Sequence, residues 1–217
     1  MDIQEIKNAL NDSDPQQRMR GVRELRNYDA EVATPLLLEH TKDGEFLVRS
    51  FVAMGLGRKK SPEAFDALLE MIKSDGDPNV RSEAANSLSY YDSALPHLVK
   101  MYRDDDHWLV RRSIIAAVAD SDAPQELLEI CIIGLSGSDE PVKFSCINCL
   151  GMFVNTEQQQ SALDILLSLV DDESWRIRSQ TAKALGKYKT ERAVVALNKL
   201  KSDGHHRVVA SALDSLV

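Results

Sequence analysis

The sequence predicts an all-α solenoid, a superhelical stack of about seven helical hairpins. Three observations carry that expectation. A short motif of acidic residues, then a β-branched and a basic residue, returns along the whole chain. Its basic positions are Arg18, Arg49, Arg81, Arg111, Lys143 and Arg178, with Val209 in the seventh place, at separations of 31, 32, 30, 32, 35 and 31. Spacing this uniform marks an internal repeat of about one supersecondary unit. After each basic residue, apolar side chains recur at helical intervals. Finally, 10 Gly, 7 Pro and 6% aromatic residues among 217 disfavour an all-β chain with its frequent turns.

The elements follow in order. The motif reads Asp14-Pro15-Gln16-Gln17-Arg18, Gly44-Glu45-Phe46-Leu47-Val48-Arg49, Asp77-Pro78-Asn79-Val80-Arg81 and Asp106-His107-Trp108-Leu109-Val110-Arg111. It continues as Asp139-Glu140-Pro141-Val142-Lys143 and Asp172-Glu173-Ser174-Trp175-Arg176-Ile177-Arg178, and decays to Gly204-His205-His206-Arg207-Val208-Val209. Three, four and seven residues beyond the basic position stand Val52/Ala53/Leu56, Ala84/Ala85/Leu88, Ile114/Ile115/Val118, Cys146/Ile147/Leu150 and Thr181/Ala182/Leu185. That is the stripe of an amphipathic helix. The acidic residue just before each such helix is expected to cap it and to favour its positive end. Pro15, Pro78 and Pro141 suit the first turn, where a missing N–H costs little. A partner helix precedes each one, over Ile3–Leu10, Val32–Thr41, Glu63–Lys73, Ser93–Tyr102, Pro124–Leu135, Gln159–Val170 and Glu191–Leu200. The hairpins therefore span about 1–28, 29–60, 61–91, 92–121, 122–154, 155–188 and 189–217, and are expected to form one array because no hairpin buries its apolar face alone.

The segments Val80-Arg81-Ser82-Glu83-Ala84-Ala85-Asn86-Ser87-Leu88 and Trp175-Arg176-Ile177-Arg178-Ser179-Gln180-Thr181-Ala182-Lys183-Ala184-Leu185-Gly186 resemble HEAT repeats of the phycobilisome-lyase type. The resemblance runs over essentially the whole chain. It departs at Gln17-Arg18, at Lys143 and at Val209. It implies that Arg and Asp side chains ladder between successive repeats, and that the second helices line an inner, concave surface. Proteins with such repeats include cyanobacterial bilin lyase subunits, a phycobilisome-degradation protein and a helper of an iron–sulfur carrier. The resemblance therefore implies two alternatives to a plain scaffold: handling of a bilin on phycobiliproteins, and assistance to an iron–sulfur carrier.

On the second helices, positions one, two, five and nine after the basic residue turn away from the apolar stripe. These are the candidate partner-binding residues: Phe51, Met54, Arg58, Glu83, Asn86, Tyr90, Arg112, Phe144, Asn148, Met152, Lys183 and Lys187. Large apolar side chains on a solvent face, Met among them, suit an adaptable protein-binding groove. Trp108 and Trp175 share one column, three positions before the basic residue, which reads as a wedge between hairpins. Tyr28, Tyr91, Phe153 and Tyr188 fall ten positions after it and close the ends of second helices.

Cys131, Cys146 and Cys149 are a weak metal candidate. All belong to the fifth hairpin, and three thiolates would suit zinc, an iron–sulfur cluster or a thioether-linked tetrapyrrole. The columns of Cys146 and Cys149 elsewhere hold small apolar residues, which favours buried structural thiols. The five histidines form no H-E-x-x-H pair, and neither a Gly-rich phosphate loop nor a G-x-S-x-G elbow occurs. A catalytic residue, a bound metal and an obligatory cofactor are therefore not expected. A net charge of −8 argues against nucleic acid. No apolar run reaches the roughly 18–20 residues of a membrane span. Asp2, Glu5 and Lys7 spoil a signal peptide, and three cysteines make no disulfide framework, so a reducing cytoplasm is expected. The leading expectation is a non-catalytic scaffold that grips a partner protein.

Overall fold

The chain is all-helical in the computed structural model, which describes residues 1–216; Val217, the last residue of the seventh hairpin, lies outside the described residues. Fourteen α-helices alternate as hairpins, with no strand among the described residues. The first helices of the hairpins are α1 (Ile3–Leu10), α3 (Ala30–Leu38), α5 (Pro62–Ser74), α7 (Leu95–Asp104), α9 (Pro124–Ser136), α11 (Gln159–Ser168) and α13 (Glu191–Leu200). The second helices are α2 (Pro15–Glu24), α4 (Phe46–Lys59), α6 (Pro78–Leu88), α8 (Trp108–Ala119), α10 (Glu140–Leu150), α12 (Trp175–Leu185) and α14 (His206–Leu216). The expected all-α architecture is thus present, with ends within a few residues of those read from the repeat. Two compact units form, Met1–Ser121 and a second beginning at Asp122. No helix among the described residues is long and apolar enough to cross a membrane.

In each unit the apolar stripe is the core. Val52, Ala53 and Leu56 of α4, Ala84, Ala85 and Leu88 of α6, and Ala182 and Leu185 of α12 are fully buried. Successive second helices pack directly against one another, α2 on α4 on α6 on α8 in the first unit and α10 on α12 on α14 in the second, whereas successive first helices barely touch. The second helices come this close because of small residues at the contact. A Cβ added at Gly57 would lie 2.6 Å from the Ser87 Cβ, and one at Gly186 would lie 2.6 Å from the Ser215 Cβ. Both glycines stand eight positions after the recurring arginine.

Arginine forks tie the hairpins together. Arg49 donates from Nε and Nη2 to both carboxylate oxygens of Asp75 at 2.7 and 2.9 Å, and from Nη1 to the Asp43 carbonyl at 2.8 Å. Arg18 holds Asp43, Arg81 holds Asp105 and Arg178 holds Asp203 in the same way. The ladder implied by the resemblance is therefore made at four junctions, by Asp43, Asp75, Asp105 and Asp203, each six positions before the recurring position of its own hairpin. The same Asp accepts the amide two residues on: Glu45 N–H to Asp43, Asp77 N–H to Asp75, and His205 N–H to Asp203, at 2.8–2.9 Å. Arg18 and Arg178 hold the Asp43 and Asp203 carboxyls below the usual range, despite their partial burial. At Asp75 burial pushes upward, and the Arg49 bonds and the Asp77 amide outweigh it, so its pKa is also lowered.

The expected capping needs correction. Asp14 and Asp77 do cap their helices, accepting from the Gln16 and Asn79 amides. Glu45 and Asp139 make no side-chain cap bond, and α8 is capped by His107 Nδ1. The recurring acid earns its place two residues earlier, where a carboxylate can serve an arginine fork and a turn amide at once. The fifth hairpin departs from the pattern: Gly137 stands where the aspartate recurs and Lys143 where the arginine does.

Two outcomes are expected. Gly57→Ala destabilises by about 1–3 kcal/mol through overpacking, read as a lower urea midpoint, and Ser87→Gly in the same chain restores part of the loss. Arg49→Ala costs about 2–3 kcal/mol at pH 7, because Asp75 loses charge-assisted bonds where it is largely buried. Since Asp75 has a lowered folded-state pKa, its contribution is present above the ordinary carboxyl value near ~4 and is lost as pH falls through the folded value. Urea titrations of the two proteins must therefore converge in acid.

Candidate partner-binding surface

The second-helix layer leaves one face of each helix to solvent. In the first unit that face carries Met54 and Arg58 of α4, Asn86 of α6, Tyr90 just beyond it and Arg112 of α8, all exposed; Phe51 and Glu83 are half-buried. In the second unit Asn148, Met152, Lys183 and Lys187 are exposed and Phe144 is half-buried. Met54 is 37%, Tyr90 55% and Met152 54% exposed. Gln180 donates to Asn148, tying α12 to α10 across this face.

The positions divide by geometry. Those five and nine residues after the basic residue point outward. Those one or two after it include side chains that meet the next second helix: Ser82 Oγ lies 2.7 Å from Ser113 Oγ, and Ser179 Oγ lies 2.8 Å from Ser211 Oγ. The sequence-based rule treated all four positions as solvent-facing; at Ser82, Ser179 and Ser211 the close helix approach buries the side chain instead. Burial pushes the Glu83 carboxyl above its ordinary range, opposed by the Asn86 side chain and the Arg58 charge.

The α2–α4 junction contains a pocket that the sequence reading did not single out. Val22, Leu37, Phe51 and Met54 form its floor, and Arg23, Arg26, Arg58 and Lys59 its rim. Arg23 occupies the same column as Met54 and Asn86, five positions after Arg18. The signal was present, but the first motif copy is degenerate enough that its helix was passed over.

Other highlighted residues are structural in placement. Trp175 stacks on His205 of the next hairpin at 4.1 Å with planes 5° apart, a wedge as expected. Trp108 differs: it is 39% exposed and lies against His107 and Arg112 of its own hairpin. Tyr91 and Tyr188 donate their hydroxyls to the Leu56 and Leu150 carbonyls, which serves the C-terminal ends of α4 and α10. Cys131, Cys146 and Cys149 are buried and form no disulfide. Cys131 Sγ lies 3.7 Å from the Cys146 carbonyl. Hydrogen bonding toward Cys146 and Cys149, then burial, hold the Cys131 thiol far above its ordinary pKa. No group of three His, Cys, Asp or Glu among the described residues is placed to hold a metal ion.

A stacked-hairpin chain with forked Arg–Asp rungs is an α-solenoid of the HEAT class. HEAT repeats match residues 34–119 and 128–217, so the chain belongs to the HEAT-repeat family. Among solved structures, the E. coli protein YibA is 17% identical, with coverage of 100% of this chain and 92% of that one and a TM-score of 0.64. The CpcE–CpcF complex of phycocyanin lyase from Nostoc sp. PCC7120 is 18% identical, with coverage of 100% and 95% and a TM-score of 0.55. At these identities the likeness is one of fold. No curated protein sequence matches the chain.

The buried thiols generate a direct expectation. In the folded protein Cys131, Cys146 and Cys149 resist a thiol reagent such as DTNB over a time in which the urea-unfolded chain reacts completely. A fast-reacting cysteine in the native chain would contradict the placement described.

Proposed function

We propose that the protein is a non-catalytic scaffold that binds a partner protein on the exposed faces of its second helices. The observation carrying this reading is the recurrence of large, exposed side chains in the two outer columns: Met54 five positions after the basic residue, and Tyr90 and Met152 each nine positions after it. Scattered exposed apolar residues are ordinary. Methionine on a layer otherwise tightened by Gly57, Ser87 and Gly186 is better explained by adaptable contact with a second surface. Among the described residues no candidate nucleophile–base pair occupies that face, which is why the reading is of binding rather than chemistry. A cytoplasmic site of action accords with three cysteines that form no disulfide.

A finer reading, that the partner is a phycobiliprotein whose chromophore is attached or removed, is supported by the repeat type and by the fold of the CpcE–CpcF complex. Help to an iron–sulfur carrier is the other finer reading. Both would draw on the three-cysteine hairpin, and the burial of those thiols counts against their carrying a bilin or a cluster. The scaffold reading uses no cysteine.

Affinity capture from the native host, read by mass spectrometry, tests the proposal with Met54→Glu and Met152→Glu introduced together. Both positions are exposed, so the fold is retained, and at least one partner captured by the unaltered chain is expected to be lost. A doubly substituted chain that retains every partner overturns the scaffold face as drawn.

A further inference from the structure

The pocket between α2 and α4 has a chemistry of its own. Its floor is apolar, and its volume of about 150 Å³ admits one side chain of leucine or phenylalanine size but not a lipid chain. All of its charged lining residues, Arg23, Arg26, Arg58 and Lys59, are basic. This is unusual in a chain with 34 acidic and 26 basic residues, and it reflects a local excess: residues 15–27 hold four arginines and one glutamate.

The four cations are not equally available. Lys59 Nζ donates to the Arg26 and Tyr28 carbonyls, and the Arg58 charge acts on Glu83, opposing the upward push of burial there. Glu24, the acid on this helix, faces the N-terminal ammonium of Met1 at 3.7 Å, and Asp29 acts on Lys59. Arg23 and Arg26 make no ion pair among the described residues and are exposed. Two unengaged guanidinium forks beside a side-chain-sized apolar cavity are complementary to carboxylates flanking an apolar residue.

We propose that this pocket anchors an acidic, apolar segment of the partner protein. One leucine- or phenylalanine-sized side chain enters the cavity over Leu37 and Met54, and neighbouring Asp or Glu side chains pair with Arg23 and Arg26. The proposal rests on the scaffold reading and names the chemistry of its partner. A nucleic acid would engage the arginines and leave the cavity unfilled, so binding by charge alone is an outcome of the test.

The test is fluorescence anisotropy of the full chain with a dye-labelled short peptide in which Asp or Glu alternates with Leu or Phe. Two control peptides carry Lys in place of the acids, or Ala in place of Leu and Phe. The acidic–apolar peptide is expected to bind and both controls to bind at least about tenfold more weakly. Arg23→Glu with Arg26→Glu, and separately Met54→Glu, are each expected to weaken binding at least about tenfold. Arg23→Gln with Arg26→Gln repeats the first result without charge reversal. Arg20→Glu, an exposed position outside the pocket, is expected to change it less than about threefold. Three results overturn the inference: no binding of the acidic–apolar peptide, equal loss with Arg20→Glu, or equal binding of the Ala peptide. If the Lys peptide instead binds in a Met54-dependent manner, the pocket is a docking site of the opposite chemistry, and the scaffold reading stands while this inference falls. Failure of the scaffold reading itself is read separately, from the Met54→Glu and Met152→Glu capture.

Discussion

The arginine fork that closes on an aspartate of the following hairpin sets how the first four hairpins, and the sixth and seventh, seat on one another. Arg49 uses Nε and Nη2 on Asp75 and Nη1 on the turn of its own hairpin, so one guanidinium binds a helix start, its own turn and the neighbouring turn together. The aspartate is equally committed, because its second contact fixes the amide that leads into the next helix. A lysine offers a point charge in place of a planar fork and cannot reproduce this geometry. At the other end of the second helices, Tyr91 and Tyr188 hold the last carbonyls of the preceding second helix. α4 is thus positioned at both ends by polar contacts from its neighbours, while apolar burial between the helices supplies the driving force.

This arrangement decides what is left for a partner. Glycine and serine at the contacts let the second helices approach closely, and that approach absorbs the side chains nearest the recurring arginine. The columns five and nine residues on are left outside, which is where Met54, Arg58, Asn86, Tyr90, Asn148, Met152, Lys183 and Lys187 appear. The recurring aspartates are matched by the arginines that fork onto them, so they are neutralised within the architecture and add nothing to the net charge of −8. Free charge is therefore informative where it accumulates, and on the exposed second-helix face of the first unit it accumulates as arginine around the α2–α4 pocket.

Much of this was legible in the residue order. A period near 31, an apolar stripe at helical spacing and proline at helix starts are local signals, so helix positions and the alignment of columns could be read directly. The candidate surface was partly legible for the same reason. Its outer columns follow from helix periodicity, whereas Ser82 and Ser179 were misassigned because their burial depends on how near the next helix lies. Capping by the acid before the helix holds at Asp14 and Asp77 and not at Glu45 and Asp139, and a carboxylate two residues before a helix start looks like one at its start until the arginine of the preceding hairpin is placed.

The sequence by itself determined the repeat, the helices and the residues that share a column, because each depends on intervals of a few residues along one chain. The tertiary structure alone decided which aspartate each arginine takes, which glycines admit a neighbouring helix and where the helix layer leaves a cavity. Those contacts join residues some 24 to 38 positions apart. Their distances are set by the packing of one hairpin on another, which no local interval records.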